Sequence, residues 1–267
     1  MTATKPRVRL CGCSLRKAKA VPVETAVGRH VDAKEPKLSK KITSVLSEHG
    51  KRISDEAGKL YEKKIEKVDT SLIDAIIAAL LIGKLISDII DVLTPQMVRS
   101  FNEAGKLGIM QVGFETSTVM LQHLDEAALT YAEAHGAELV KGLSTTTEEG
   151  LRGTIANAVK GGWSADELAK SIRDSFAFSG ARASTIARTE LAMAHVQGNV
   201  QGWRETGQVE KKEWVLGDLH EVEDECDENA TEGAIALDDE FSSGIAFPPA
   251  HPNCICDVLP VLSEGGA

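Results

Sequence analysis

The residues best suited to chemistry lie near the end of the chain, in Pro248-Pro249-Ala250-His251-Pro252-Asn253-Cys254-Ile255-Cys256. The prolines restrict the backbone on both sides of His251 and hold it in fixed relation to Cys254. Imidazole and thiolate are both zinc ligands, and zinc takes four ligands in a tetrahedron. Cys226 lies 25 residues before His251 and is able to close the far side. Cys226, His251, Cys254 and Cys256 therefore make a candidate Cys3His metal site, with His220 as another candidate for the fourth position. Structural zinc supplies about 10–16 kcal/mol of apparent folding free energy in small modules. That would staple an acidic lobe poor in aromatic residues. A second reading stays open. A C-x-C pair is a weaker chelate signal than C-x-x-C, and Asn229 stands where Cys226 would need a partner. A metal-free cluster, packed or hydrogen-bonded, would use the same thiols as small hydrophobes.

A second group is Ala187-Arg188-Thr189-Glu190, preceded by Arg182. Arg182, Arg188 and Glu190 on one helix suit structural ion pairing, in which a guanidinium fork on a carboxylate fixes geometry. Catalysis would need a nucleophile or a cleft of perturbed acids, and neither lies nearby. The phosphate-binding, dinucleotide, H-E-x-x-H and G-x-S-x-G signatures are all missing from the sequence. The acids from Glu221 to Glu228 lack the spacing of a calcium loop and read as a solvated face. The expectation is a protein that is not an enzyme.

The third group is basic. Arg7, Arg9, Arg16, Lys17 and Lys19 stand in a first stretch of twenty residues without an acid, around Cys11-Gly12-Cys13. These charges suit phosphates or an acidic protein groove; a solvated tail is the other reading. Up to Asp69 there is an excess of about eight positive charges, while the whole chain carries a formal −10. A protein coating nucleic acid over its whole surface would be basic, so any DNA contact here is local to this arm. Five cysteines in two clusters, with no secretory signal, point to a reducing compartment. The most apolar stretch, Leu72 to Leu93, contains Asp74, Lys84, Asp88 and Asp91. They share about one third of a helix circumference, so a packed amphipathic helix is expected and no membrane span.

The elements that position these groups are mostly helices. Apolar residues make up 42% of the 267 residues and aromatics only 4%, so Ala, Leu, Ile and Val carry the burial, which favours helix on helix. Residues 1–40, with Pro6, Pro22 and Pro36, read as an extended basic arm. Helical spacing follows from about Leu38 to Val68, with Gly50 as a candidate break. Thr94-Pro95 reads as the start of a helix from Gln96. Gly105, Gly108 and Gly113 in it suggest close helix approach. A further helix runs from Thr118 to Lys141 with Gly142 as its stop, and another from Thr147 to Val159, stopped by Gly161-Gly162. Ser164 with Glu167 makes a capping box for a helix ending near Phe178, and Ser179 to Thr206 is again helical. Lys211 to Leu216, Ile245-Ala246-Phe247 and Ile255 to Leu262 read as short strands. The expected fold is mainly α with a small α+β C-terminal lobe: an extended arm at 1–40, an elongated helical body at 41–145, and a last domain at 146–267.

The segment from about Gly142 to Leu262 resembles the phage Mu F-like head morphogenesis, or minor head protein, family. The resemblance rests on Gly161-Gly162-Trp163-Ser164 with Glu167-Leu168-Ala169, on Arg182-Ala183, and on Ile186-Ala187-Arg188-Thr189-Glu190. It continues through Lys212-Glu213-Trp214, Asp224, Cys226 and Phe247 to Cys256. Ile255 departs from it, standing where the family often has a basic residue, and so does Asn229, where a second Cys or His is frequent. The resemblance implies a minor capsid protein of a tailed bacteriophage, acting in head assembly at the portal vertex. Its implied partners are the portal protein, the major capsid protein or scaffold, and packaged phage DNA through the arm. It places the protein in the virion, after assembly in the host cytoplasm. A transient DNA-binding assembly factor and an injected effector are the alternative roles.

Overall fold

A computed structural model describes residues 24–64, 82–218, 220 and 223–262. The protein is mainly helical with a small sheet near its C-terminal end, the expected class. In chain order the elements are α1 (Ala26–Lys64), α2 (Ile82–Gln111), α3 (Thr118–Gly161), α4 (Ala165–Arg173), a 3-10 turn (Phe176–Phe178), α5 (Gly180–Thr206), β1 (Val209–Val215), α6 (Glu225–Glu232), β2 (Ile235–Ala236) and β3 (Asp257–Leu262).

Several boundaries follow from local chemistry. The side chain of Ser117 accepts from the amide of Met120 at the start of α3. Ser164 and Glu167 form the reciprocal capping box that opens α4. Ser179 accepts from the amide of Arg182 and opens α5. Gly162 (φ 62°) and Gly207 (φ 63°) end α3 and α5 in the left-handed region, where glycine is favoured.

Other boundaries differ from the sequence reading. Residues 26–40 are not an extended arm but the first third of α1, because Val27, Val31 and Leu38 are buried at helical spacing. Pro36 sits inside α1 on its exposed side, where water can take the carbonyl that proline leaves unpaired. Pro95 is exposed in the same way within α2, so Thr94-Pro95 starts nothing: buried Leu93 and Met97 continue one face across it. Gly142 does not stop α3, which runs unbroken over 44 residues. Buried Leu143, Thr147 and Leu151 carry one stripe past it. Gly50 does not break α1 either. A Cβ there would stand 2.7 Å from Cγ of Phe178, so this glycine admits the 3-10 turn against the helix. Ile245 to Phe247 is not a strand but part of a turn, in which the amide of Phe241 donates to Ile245 O at 3.1 Å. The earlier part of the apolar stretch from Leu72 lies outside the described residues. From Ile82 it is helical, with Ile82, Leu85, Ile86, Ile89 and Leu93 buried. No described helix is long and apolar enough to cross a membrane.

The core is organised around α5, whose buried face packs on α1 and α2. At the α2–α5 crossing the backbones touch. A Cβ at Gly198 would lie 2.1 Å from Phe101 O, and one at Gly202 2.1 Å from Gly105 O. The close approach expected of Gly105 and Gly108 is found; Gly113 (φ 87°) instead follows the end of α2.

The sheet has the order β2-β1-β3, antiparallel throughout, with Trp214 opposite Val258. Lys212 and Trp214 both face inward from β1. The Lys212 ammonium, 0% exposed as a residue, donates to Leu237 O at 2.9 Å and Asp239 O at 2.6 Å. It also lies 3.7 Å from the centre of the Phe247 ring. Burial lowers its pKa to about 8. The lysine thereby ties the loop after α6 to the sheet.

Candidate metal centre

Two short segments carry the sulfurs. Cys226 lies in the first turn of α6, a helix absent from the sequence reading because it is built from the acidic run. Asp224 caps it and forms a capping box with Asp227, and the Cys226 amide donates to Asp224 Oδ1 at 2.8 Å. Cys254 and Cys256 follow the proline-rich turn. That turn is held from α5: the amide of Asn253 donates to Thr189 Oγ1 at 3.1 Å, and Asn253 Nδ2 to Thr185 Oγ1 at 3.3 Å. Asn253 adopts φ 65°, a region that asparagine tolerates better than most residues. Gly217 admits the segment from the other side. A Cβ there would meet Ile255 O at 2.7 Å, and its amide donates to Cys256 Sγ at 3.5 Å.

The thiols gather around Cys226, which groups with Cys254 on one side and with Cys256 on the other. All are buried, and none forms a disulfide. Cys226 Sγ and Cys254 Sγ are 3.7 Å apart. Two sulfurs each about 2.3 Å from one zinc ion stand about 3.8 Å apart in a tetrahedron, so the spacing fits one edge of such a site. Cys226, Cys254 and His251 present donor atoms within 4.8 Å of one another, and so do Cys226, Cys256 and His220. Hydrogen bonds from Cys226 and Cys256 hold the Cys254 thiol well below the usual range, while the bond to Cys254 pushes Cys226 well up.

The histidines differ in their engagement. His220 Nε2 is hydrogen-bonded to Asp227 Oδ2 at 2.7 Å. His251 Nε2 is buried, 3.1 Å from Asp224 Oδ2, and makes no hydrogen bond. Asn229, one turn along α6 from Cys226, is 0% exposed, and neither its Oδ1 nor its Nδ2 has a hydrogen-bond partner. These orphaned atoms beside three thiols fit a centre that takes a cation. The Cys and His residues can hold a metal ion.

The other sequence candidates are dispersed. Arg7, Arg9, Arg16, Lys17 and Lys19, with Cys11 and Cys13, lie outside the described residues. Arg182, Arg188 and Glu190 do not pair with one another. Arg182, 3% exposed, donates to Ala177 O at 2.8 Å and Leu143 O at 3.2 Å, joining α5 to the 3-10 turn and α3. Arg188 faces Asp32 of α1 at 3.4 Å. Glu190 meets His135 of α3 at 2.6 Å. Helical geometry sends the three side chains to different neighbours. The residue of this stretch that serves the Cys/His cluster is Thr189, which sequence reasoning missed because a threonine hydroxyl has no signature until its partner turn is in place.

The family model described as phage Mu protein F like protein matches residues 149–259. No curated protein and no solved structure matches the chain.

Proposed function

We propose, from the match of residues 149–259 to the model of the phage Mu protein F like family, that this chain is a phage head protein, and more closely a minor head protein of a tailed bacteriophage acting at the portal vertex. The observation that carries the reading is the extent of the match, which runs from the last turns of α3 to β3 and takes in the whole Cys/His lobe. In this reading the protein is structural, with no catalytic site. Its helices dock on the portal protein and on the major capsid protein or scaffold. Arg7, Arg9, Arg16, Lys17 and Lys19 contact packaged DNA. A tail of this kind adds a salt-dependent, sequence-independent attraction to phosphates, compatible with a formal chain charge of −10.

We read the centre as a structural zinc site with Cys226, Cys254, Cys256 and His251 as ligands. His251 is preferred to His220 because its contact with Asp224 at 3.1 Å has no hydrogen-bond geometry, whereas His220 is hydrogen-bonded to Asp227 at 2.7 Å. Bound zinc would crosslink α6 to the segment before β3.

Quantitative mass spectrometry on purified particles of the source phage tests the role. A few copies per mature particle, with peptides across the whole chain, is the expected result. Presence in proheads and absence from mature particles would make the protein a transient assembly factor and overturn the virion placement.

A further inference from the structure

The strip Cys254–Asp257 faces two ways. Its sulfurs enter the metal centre. The groups between and after them reach the start of α1, some 230 residues away in sequence. Thr25 is the pivot: its Oγ1 accepts from the amide of Gly28 at 2.9 Å and donates to Ile255 O at 2.8 Å. The amide of Val27 donates to Asp257 Oδ2 at 3.3 Å. Thr25 is 4% exposed and Asp257 3%. The first-turn amides of a helix have no partner within the helix and favour a negative group nearby. α1 takes its acceptor from a residue adjacent to a cysteine of the centre. Packing follows the same path, since a Cβ at Gly28 would touch Ile255 Cδ1 at 3.6 Å.

We propose that a thiophilic divalent cation of the zinc type, held by the Cys226, Cys254 and Cys256 sulfurs, clamps the first turn of α1 onto the C-terminal lobe, so that occupancy of the centre decides whether the root of the basic N-terminal segment is anchored. The inference rests on the metal reading above. Ile255 O and the Asp257 carboxylate are placed by Cys254 and Cys256 on one side and by the pairing of Asp257 with Val215 on the other. With the cation bound, both ends of this strip are tied through sulfur to α6. Without it, the strip keeps the pairing of β3 with β1 and the hold of α5 on Asn253 but loses its tie to α6, and the order of the first turn of α1 falls with that tie.

The test uses the full chain, purified with one equivalent of zinc and compared with the same protein stripped by a chelator. Metal content and the thiolate charge-transfer band of the cobalt-substituted protein report binding. Hydrogen exchange of peptides covering residues 24–34 reports the clamp, and a peptide within residues 190–203 of α5 serves as the internal reference. Stripping is expected to speed exchange at residues 26–31 at least tenfold and to leave the reference unchanged. Thr25→Val is expected to speed the same amides in the zinc-loaded protein at undiminished zinc content. Zinc bound with identical exchange at residues 26–31 before and after stripping would overturn the clamp and leave the metal site standing. An unaffected Thr25→Val variant would also overturn it. Failure to take up zinc or cobalt would overturn the metal reading itself, and the clamp with it.

Discussion

Gly198→Ala and Gly202→Ala probe the crossing that sets α5, and with it Thr185 and Thr189, against the rest of the protein. At each site the added Cβ would stand 2.1 Å from a backbone oxygen of α2, about 1.3 Å short of the 3.4 Å at which ordinary contact begins. The obstacle is backbone, so no side chain can swing aside and the helices must part. Overpacking of this kind costs about 1–3 kcal/mol, and contact with a rigid helix puts it in the upper half of that range. The better helix propensity of alanine returns about 0.8–1 kcal/mol. The expected net loss is about 1–2 kcal/mol for each variant. In a chain of this size that is about 2–8 °C in melting temperature. The double variant should lose less than the sum, because one separation relieves both clashes. Thermal and urea unfolding followed by circular dichroism measure this. Gly142→Ala and Gly153→Ala are the references: both glycines are exposed within α3 with nothing within 4 Å. They should gain up to about 1 kcal/mol. If Gly198→Ala melts at or above the parent temperature, the backbone contact at the crossing is wrong.

Three further outcomes are expected. Cys254→Ala should lower bound zinc from one per chain toward none, while the double change Cys11→Ala, Cys13→Ala leaves it at one; metal analysis of the purified proteins decides between them. Burial holds His195 down to about 3 and His30 down to about 4. In the folded protein both therefore stay neutral where the unfolded chain, near 6.5, takes up protons. Their contribution to stability is complete above pH 6.5 and is lost as pH falls, by up to about 1.4 kcal/mol per unit for each group. His135 works in the opposite sense, since its hydrogen bond to Glu190 raises its pKa. The measurement is therefore the difference between the parent and His195→Gln in urea midpoint at pH 7.5 and pH 5. The parent should lose more on acidification, and an equal loss would refute the assignment. Lys212→Met leaves Leu237 O and Asp239 O without their buried donor. It should cost about 1–3 kcal/mol and open the loop at residues 237–247 to limited proteolysis; an unchanged melting temperature would argue against this tie.

Much of the chain could be read from local sequence, because local chemistry decides it. Ser164 with Glu167, Gly162, Ser179 and Gly207 mark helix ends, since capping and left-handed backbone need only residues a few positions apart. The nearness of Cys226 to His251 and Cys254 was legible too, because Cys and His are common metal-ligand types, whereas Cys256 groups with Cys226 and His220. Tertiary structure decided where a local signal would be overruled. Pro36, Pro95 and Gly142 break nothing, because buried stripes continue on the opposite face and water serves the exposed one. It also decided the partners of long polar side chains. Arg182 ends on carbonyls, Lys212 lies at a core position of β1, and Thr189 holds a turn 64 residues away. A side chain of that reach has many acceptors to choose from, and only packing removes the alternatives. The contact of Thr25 and Val27 with Ile255 and Asp257 is the extreme case. No periodicity or motif joins the two ends of the described chain; they meet because α1 and the cysteine lobe pack against the same helix, α5.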